Sequence, residues 1–532
     1  MSIDVVIVGG GPTGLMAACE LSLAGVRPVV LEVLPEPSTE PKANGLLGQV
    51  VRMVDHRGLY EPLSGQPGPP RPSPAFMFAA LPLDLSVLED HSVYGLPVTQ
   101  HRLVQVLEKR AAELGVDIRR EHRLVGLTQD DDTVTADVAG PDGTYQVRAR
   151  YLVGADGAHS ATRKLAGIGF PGITYDRVTT RTAHATVPEE WVDPATGGLD
   201  IPGHGAVPPF LAHRTDHGTF SYAPFPGHPP LVSTAEWDRP ENDDPMSLDE
   251  LRASVRRVLG VDVPLAAPAG PGPHVLRRLN GGHNRVATRF RDRRVFLAGD
   301  AAHINTSGGS GLNLGLQDAV DLAWKLAAEI RGEAPEGLLG TYETERRPAC
   351  ERMIMAGQAQ GALTAPGDDV TALRGLFAEL LRDPGAVGRV AGLIAGDDMP
   401  YDMGDTADMG GMTPHPLVGR LAPGLDVRTP DGTVRLAELT RTARPLLVDL
   451  TEHASAARAL AHRRPRIDIV TGSPSGPHAG VTVLLLRPDC HVAWASESAD
   501  LGSEEMDALE AAARRWFGAA QPSDLSPAAP TG

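Results

Sequence analysis

The sequence predicts an α/β fold of three parts. A Rossmann-type nucleotide-binding domain opens the chain, an antiparallel sheet is inserted into it, and a small unit follows at the C-terminal end. Three observations carry this. Ile3 to Glu32 reads as strand, tight glycine turn, helix and strand. From Tyr175 to Trp237 the pattern changes to alternating Thr, Val, His and aromatic residues broken by turns such as Asp216-His217-Gly218, which marks a different layer. After a Pro-rich linker, Pro264 to Pro273, the buried-strand pattern returns at Arg294 to Leu297 and runs into Ala298-Gly299-Asp300.

Asp4-Val5-Val6-Ile7-Val8 is a short apolar run of the kind found in parallel sheets. Gly9-Gly10-Gly11-Pro12-Thr13-Gly14 follows at once and fits G-x-G-x-x-G. Gly9 permits the tight turn, Gly11 lets a pyrophosphate approach the backbone, and Gly14 lets helix and strand pack closely. Leu15 to Leu23 is helical in composition and Gly25 closes it. The free N–H groups at the helix start suit phosphate. Pro28 to Leu31 is the second strand, and Glu32 ends it at about the ~20-residue spacing of the acid that bonds a ribose. Strand, glycines, helix and acid together predict dinucleotide binding.

Further along, Pro35 to Lys42 is a polar loop, Leu46 to Gly58 reads as a helix, and Gln66 to Pro74 is a surface loop. Gln100 to Leu114 has helical spacing and stops at Gly115. Val116 to Arg120 and His122 to Leu127 are strand-like, and Thr133 to Val138 pairs with Tyr145 to Leu152 as a hairpin. Leu312 to Ile330 is amphipathic with Gly332 as its stop, and a second helix covers Leu338 to Gln358. Asp397 to Gly424 is a connector. In the last third, strands at Leu446–Leu450, Ile467–Val470, Val481–Leu486 and Val492–Trp494 precede a helix from Ser503, its expected N-cap, to Trp516.

Composition bounds the function. The chain has 532 residues, enough for two or three domains, and a net charge of −18. That sign argues against nucleic acid and anionic membranes as partners. The run Arg463-Arg464-Pro465-Arg466 is expected on the solvated surface. Three scattered cysteines form no disulfide framework, no C-x-x-C and no zinc spacing, so no metal is expected and the setting is a reducing cytoplasm. No apolar run approaches the ~20 residues of a membrane span.

Three separated motifs complete the picture: the opening turn with Glu32; Asp156-Gly157-Ala158-His159-Ser160-Ala161-Thr162-Arg163; and Gly299-Asp300 with Gly308-Gly309-Ser310-Gly311-Leu312-Asn313 at a helix start. This set resembles the FAD-dependent aromatic hydroxylases of the para-hydroxybenzoate hydroxylase fold, and within them the polyketide hydroxylases and rifampicin monooxygenases. The resemblance extends to Tyr342-Glu343-Thr344-Glu345-Arg346-Arg347-Pro348 and to Arg487-Pro488-Asp489-Cys490-His491-Val492-Ala493-Trp494. It implies an FAD-binding domain over 1–174, a substrate-binding β-sheet domain over 175–275, the second part of the FAD-binding domain with long helices over 276–396, a connector over 397–424, a thioredoxin-like domain over 425–520 and a disordered tail over 521–532. Without a C-x-x-C the thioredoxin-like unit does no thiol chemistry, which leaves a structural or oligomer-contact role.

The resemblance also implies a cofactor-binding set: Gly9, Gly11, Pro12, Thr13, Gly14, Glu32, Lys42, Gln100, Arg102, Val125, Asp156, Gly157, Asp300, Gly311, Leu312 and Asn313. Asp300 is expected beside the ribityl and phosphate chain. The N–H groups at Leu312 and Asn313 are expected at the N1/O2 edge of the flavin, stabilising charge on the reduced ring. For Asp156 and Arg163 the alternative is a structural strand-end turn; for Lys42, Gln100 and Arg102 it is a solvated chain end. Two departures stand out. His303-Ile304-Asn305-Thr306-Ser307-Gly308-Gly309-Ser310-Gly311 is one residue shorter than the usual run over the flavin and lacks its prolines and glutamine. Gln49 stands where relatives often carry arginine. His184, His204, His213, His217 and Tyr222 are acid–base candidates by type, each more readily an ordinary core or surface residue, and none is singled out as the base.

The activity implied is a single-component FAD monooxygenase. NAD(P)H and O₂ serve as co-substrates, and an electron-rich polycyclic aromatic polyketide or related phenol is hydroxylated through a C4a-hydroperoxyflavin, as in antibiotic biosynthesis. The flavin is expected to be non-covalent. The alternatives are Baeyer–Villiger oxygenation of a polyketide ketone and a catalytically silent, flavin-bound protein; the Trp-x-Trp-x-Ile-Pro run of flavin halogenases is absent. A homo-oligomer is compatible with all three.

Overall fold

The computed structural model describes residues 3–40, 42–225, 227–239, 244–270, 272–306, 311–404, 413–464, 466–476 and 480–519. The opening unit forms as its pattern requires: strand Ile3–Val8, helix Pro12–Leu23, strand Pro28–Glu32. Five strands of the first sheet lie parallel to their neighbours, in the order Val295–Leu297, Gly143–Gly154, Ile3–Val8, Pro28–Glu32, Asp117–Arg120. Val5, Val6 and Ile7 are buried on both faces, which explains an apolar run without alternation. The hairpin Val134–Gly140 with Gly143–Gly154 is present, and its second strand continues inward to become the central strand beside Ile3–Val8.

A six-stranded sheet forms the second layer. It is antiparallel throughout, in the order Ala212–Thr215, Gly218–Ala223, Leu231–Trp237, Gly172–His184, Leu276–Val286, His303–Asn305. Helix Leu248–Leu259, capped by Ser247, covers one face. The last strand, His303–Asn305, belongs to the segment that leaves the first sheet after Val295–Leu297, so it ties the two layers together.

Two long helices back the first sheet. Gly311–Arg331 packs on the opening helix and buries most of its length. Leu338–Thr364 runs beyond the expected Gln358 and through Pro348. Two further helices, Asp368–Leu380 and Pro384–Ala395, were not anticipated. The expected helix over Leu46 to Gly58 is in fact a strand, Gly45–Leu47, and a shorter helix, Gln49–Asp55, because Leu46 pairs with Leu96 across a distant loop.

The C-terminal unit has a four-stranded sheet, Asp468–Thr471, Leu446–Asp449, Val483–Leu486, Val492–Ser496, parallel at the first pair and antiparallel after it. Helix Ser503–Phe517 covers it, with Gly502 rather than Ser503 at the cap position. The expectation of a surface basic run fails at Arg463, which is 1% exposed. Its guanidinium donates to Glu510 of the last helix and to the Gly518 carbonyl. Among the described residues no helix is long and apolar enough to cross a membrane. The expected disordered tail, and positions 307–310 of the shortened loop, lie outside the described residues.

Candidate active site

The three motifs meet around the opening turn. Gly9 sits at φ +110°, and a Cβ there would lie 2.3 Å from the Ala155 carbonyl oxygen, so the first glycine rests on the second motif. A Cβ on Gly14 would lie 2.0 Å from the Gly9 carbonyl oxygen. Thr13 is gripped by the third motif: added Cβ atoms on Gly299 and Gly315 would stand 2.7 and 2.4 Å from its Oγ1. Gly11 is different. Its φ is −76°, which any residue adopts, and a Cβ there meets nothing within 4 Å. The fold gives Gly11 no reason to be glycine, so the open space beside it suits a pyrophosphate drawn against the backbone. Pro12, at the first helical position, has no N–H to leave unpaired.

Glu32 is buried and already engaged. One carboxylate oxygen accepts from Gly10 N at 2.6 Å and the other from Leu34 N at 2.8 Å. It therefore holds the glycine turn to the end of its own strand, and each oxygen keeps a second lone pair for a ligand. Val125 is half exposed at a bulge in Arg123–Gln129, close to this end because His122 N donates to the Glu32 carbonyl.

Asp156 and Arg163 are committed to the protein itself. The Asp156 carboxylate accepts from the Ser160 hydroxyl and from Thr162 N and Oγ1. Arg163 donates to the Ala301 and Ala158 carbonyls and lies 3.8 Å over the Phe170 ring. The pair thus fastens the strand end to the Asp300 turn. Gly157, at φ +77°, faces open space.

Asp300 is solvent-accessible yet recessed, and the low polarity around it raises its carboxyl above the usual range, opposed by the nearby charges of His303 and Lys42. Its Oδ1 is 3.4 Å from where a Gly311 Cβ would stand, which places it against the start of the long helix. Leu312 is half-buried there, and the Asn313 side chain accepts from Leu47 N at 3.1 Å. Lys42 is exposed and pairs with Glu40. Gln100 N donates to the Ala43 carbonyl, which anchors the Lys42 loop to its helix; Arg102 is exposed and donates to the Pro62 carbonyl. Gln49 is buried and donates to the Gly396 carbonyl.

A cleft opens beside this helix start, lined among others by Leu47, Gln49, Asn313, Gln317, Arg346 and Met353. It adjoins an apolar recess formed by Phe76, Phe78, Asn305, Ala356, Gly357 and Gln360. Phe76 and Phe78 come from a short hairpin that no local motif distinguishes. The sheet face turned away from its covering helix carries Ser221, Ser233 and Thr182 in one cross-strand row, and the Ser233 hydroxyl donates to Thr182 Oγ1 at 3.0 Å. Of the acid–base candidates, Tyr222 is buried, and burial raises its hydroxyl. His204 and His213 face each other with Nε2 atoms 2.9 Å apart, and burial lowers His213. Burial also lowers His184, whose Nδ1 accepts from Val275 N, while His217 is exposed in a turn.

The sequence matches the FAD binding domain family over residues 2–357 and the aromatic-ring hydroxylase C-terminal family over residues 415–520. It is 40% identical to the 12-dehydrotetracycline 5-monooxygenase/anhydrotetracycline 6-monooxygenase of Streptomyces rimosus, over 97% of this chain and 99% of that protein. It is 36% identical to the rifampicin monooxygenase of Streptomyces venezuelae, over 97% and 99% of the two chains. The solved structure of OxyS anhydrotetracycline hydroxylase from Streptomyces rimosus superposes with a TM-score of 0.82 at 37% identity, covering 98% of this chain and all of that one. With its three motifs meeting at the opening turn and its likeness running from end to end, the chain belongs to the FAD-dependent aromatic-ring hydroxylases, flavin monooxygenases of the para-hydroxybenzoate hydroxylase fold.

Proposed function

We propose that this monooxygenase binds FAD non-covalently with its pyrophosphate on the Gly9–Gly14 turn, its adenosine toward Glu32 and Val125, and its ring at the start of helix Gly311–Arg331. NAD(P)H and O₂ are its co-substrates, and it hydroxylates a polycyclic aromatic polyketide or a related phenol. The observation that carries the cofactor placement is Gly11. Among the glycines of the opening turn, it alone would place an added Cβ against nothing among the described residues, and at an ordinary φ. The recessed Asp300 supports it, because a carboxylate there accepts ribityl hydroxyls. The bound flavin supplies the redox and oxygen chemistry. The chain's own residues bind and orient it, and the N–H groups of Leu312 and Asn313 offer positive dipole to its charged edge.

For the substrate, the flat recess of Phe76, Phe78 and Met353 suits fused rings. The row of Ser221, Ser233 and Thr182 suits their phenolic and ketone oxygens. The names of the relatives, anhydrotetracycline and rifampicin monooxygenases, point to the same chemical class. Three free, buried cysteines agree with a cytoplasmic setting. The test is a panel of polycyclic phenols with NADPH or NADH under ¹⁸O₂. A product one oxygen heavier, labelled from O₂ and carrying a new ring hydroxyl, is expected. Ring expansion instead would indicate a Baeyer–Villiger enzyme, and no ligand-stimulated NAD(P)H oxidation with any member would overturn the reading.

A further inference from the structure

We propose that Asp318 and His303 are a positioning pair that fixes the Asp300 turn and sets the charge beneath the flavin site. The inference rests on the cofactor placement above and adds Asp318, which lies in no motif, as the partner of His303 and Arg346.

Asp318 lies two turns into the long helix and is fully buried. One of its carboxylate oxygens accepts from Gly299 N at 3.0 Å and pairs with His303 Nε2 at 2.6 Å; the other accepts from Arg346 Nε at 2.8 Å. These donors come from three different segments. Asp300 lies between two of them, so residues on both sides of it are fastened to the same carboxylate. Gly299 is held besides by Thr13, since it stands at φ +61° with no room for a Cβ. Arg346 extends the network to Gln317, to the Leu314 carbonyl at the helix start, and to Tyr401. It also lines the cleft beside that helix start. The network therefore sets both features assigned to the flavin, the Asp300 carboxylate and the first turn of the helix.

The charge follows from the same geometry. Burial alone would make His303 neutral, but the neighbouring Cys350 and Asp318 outweigh it and hold the imidazole well above its ordinary range, and the 2.6 Å pairing with a fully buried carboxylate favours the cation. Asp318 is correspondingly pulled down, to about 2. With Arg346 the group carries two positive charges and one negative. His303 Nδ1 is buried with no hydrogen bond of good geometry among the described residues, and the Cys350 thiol lies beside the imidazole. Two buried cations sharing one buried carboxylate are a costly arrangement for stability alone. They suit a site where negative charge appears, as it does when the flavin is reduced. The pair should favour the reduced over the oxidised flavin.

The experiment is the midpoint potential of the bound flavin and the FAD Kd of the apoprotein, for wild type, H303Q, R346Q and D318N. In His303→Gln the amide keeps a donor at the position of Nε2, and the network loses one positive charge. Arg346→Gln removes one from the other side. Each should weaken binding of the reduced flavin relative to the oxidised at least tenfold, a fall of about 30 mV for a two-electron couple. Asp318→Asn removes the negative charge but also the reason for His303 to be cationic, so the net charge stands. Its potential should stay within that step while its FAD Kd rises at least tenfold, because the Asp300 turn has lost its anchor. The two charge variants serve as checks on each other if one fails to fold. A wild-type holoenzyme whose H303Q and R346Q variants keep its potential overturns the charge role, and an unchanged Kd in D318N overturns the positioning role. A wild-type protein that takes up no FAD overturns the cofactor placement and this pair together.

Discussion

Arg487 should be the residue whose loss most damages the joint between the flavin domain and the C-terminal unit. It is fully buried and comes from the hairpin of the C-terminal sheet. Its guanidinium bonds both oxygens of Glu345 at 2.8 Å, Asp321 at 3.1 Å and its neighbour Asp489. Lys325 closes the cluster, at 2.9 Å from Asp321 and 2.8 Å from Glu345. Trp324 donates to Asp489, and Trp324, Trp516 and Tyr401 surround the guanidinium. Three carboxylates thus face two cations. Burial and the neighbouring acids raise Asp321 well above its ordinary range, while Arg487 and Lys325 hold Glu345 down. A proton held on the Asp321 side makes the cluster neutral.

Arg487→Met keeps most of the volume and removes the charge. It leaves two ionised carboxylates against Lys325, and breaking a buried pair this way costs about 3–5 kcal/mol. The deficit should depend on pH with a defined sign. The uncompensated carboxylate has a raised value in the folded variant. Its protonated form is stabilising below the unfolded value near ~4, and that stability is lost as pH rises through the folded value. The variant should therefore be closer to wild type at pH 5 than at pH 8. Urea unfolding followed by tryptophan emission is the assay, since Trp324 and Trp516 sit at this joint. Adding Asp489→Asn restores neutrality and should recover part of the loss. A single variant within ~1 kcal/mol of wild type at pH 8, or a double variant less stable than the single, would refute the charge argument.

Gly11 and Gly14 should part company when each becomes alanine. G11A apoprotein should melt with wild type while its FAD Kd rises at least tenfold; G14A should be destabilised even without FAD, since its Cβ falls 2.0 Å from the Gly9 carbonyl oxygen. Glu32→Ala removes charge-assisted bonds to Gly10 and Leu34 together with the bond proposed to the ribose, and should weaken FAD by about 1.5–3 kcal/mol, roughly ten- to 150-fold in a fluorescence titration. The His303–Asp318 pair should shape stability at both ends of the pH scale. Asp318, lowered to about 2, contributes stability above its unfolded value near ~4 that is lost as pH falls toward 2. The contribution of His303 is full below ~6.5 and is lost as pH rises through its folded value. Thermal melts of H303Q across pH should show a flatter alkaline limb than wild type.

How much of this was legible depends on how far each residue reaches. The opening turn could be read because its constraints are local: Gly9, Gly14 and the helix start lie within a few residues of one another. The long helix Gly311–Arg331 could be read from its length and apolar content, although from Asp318 to Ala328 it is buried all round rather than on the one face its amphipathic pattern suggests. Gly45–Leu47 was mistaken for helix because its partner, Gly95–Pro97, is far along the chain. Helix Asp368–Leu380 escaped notice because it buries no residue, so its leucines signal no core. Arg463 looked like surface charge until Glu510 and Gly518 came to it from the end of the chain.

The buried charges carry this further. Nothing near Arg487 in sequence, apart from Asp489, announces Asp321 and Glu345, and nothing near Asp318 announces Gly299 or Arg346. Such residues have their reasons elsewhere in the fold, and only the fold reveals them. Gly11 is the opposite case, and the more informative for function. In sequence only its place in the motif sets it apart from Gly9 and Gly14. In the structure the other two are required by backbone atoms that press on them, and Gly11 is pressed by nothing. A turn glycine at an ordinary φ with open space at its Cβ leaves the backbone accessible to a group approaching from outside, and at the mouth of this turn the proposed flavin's phosphates fit that space.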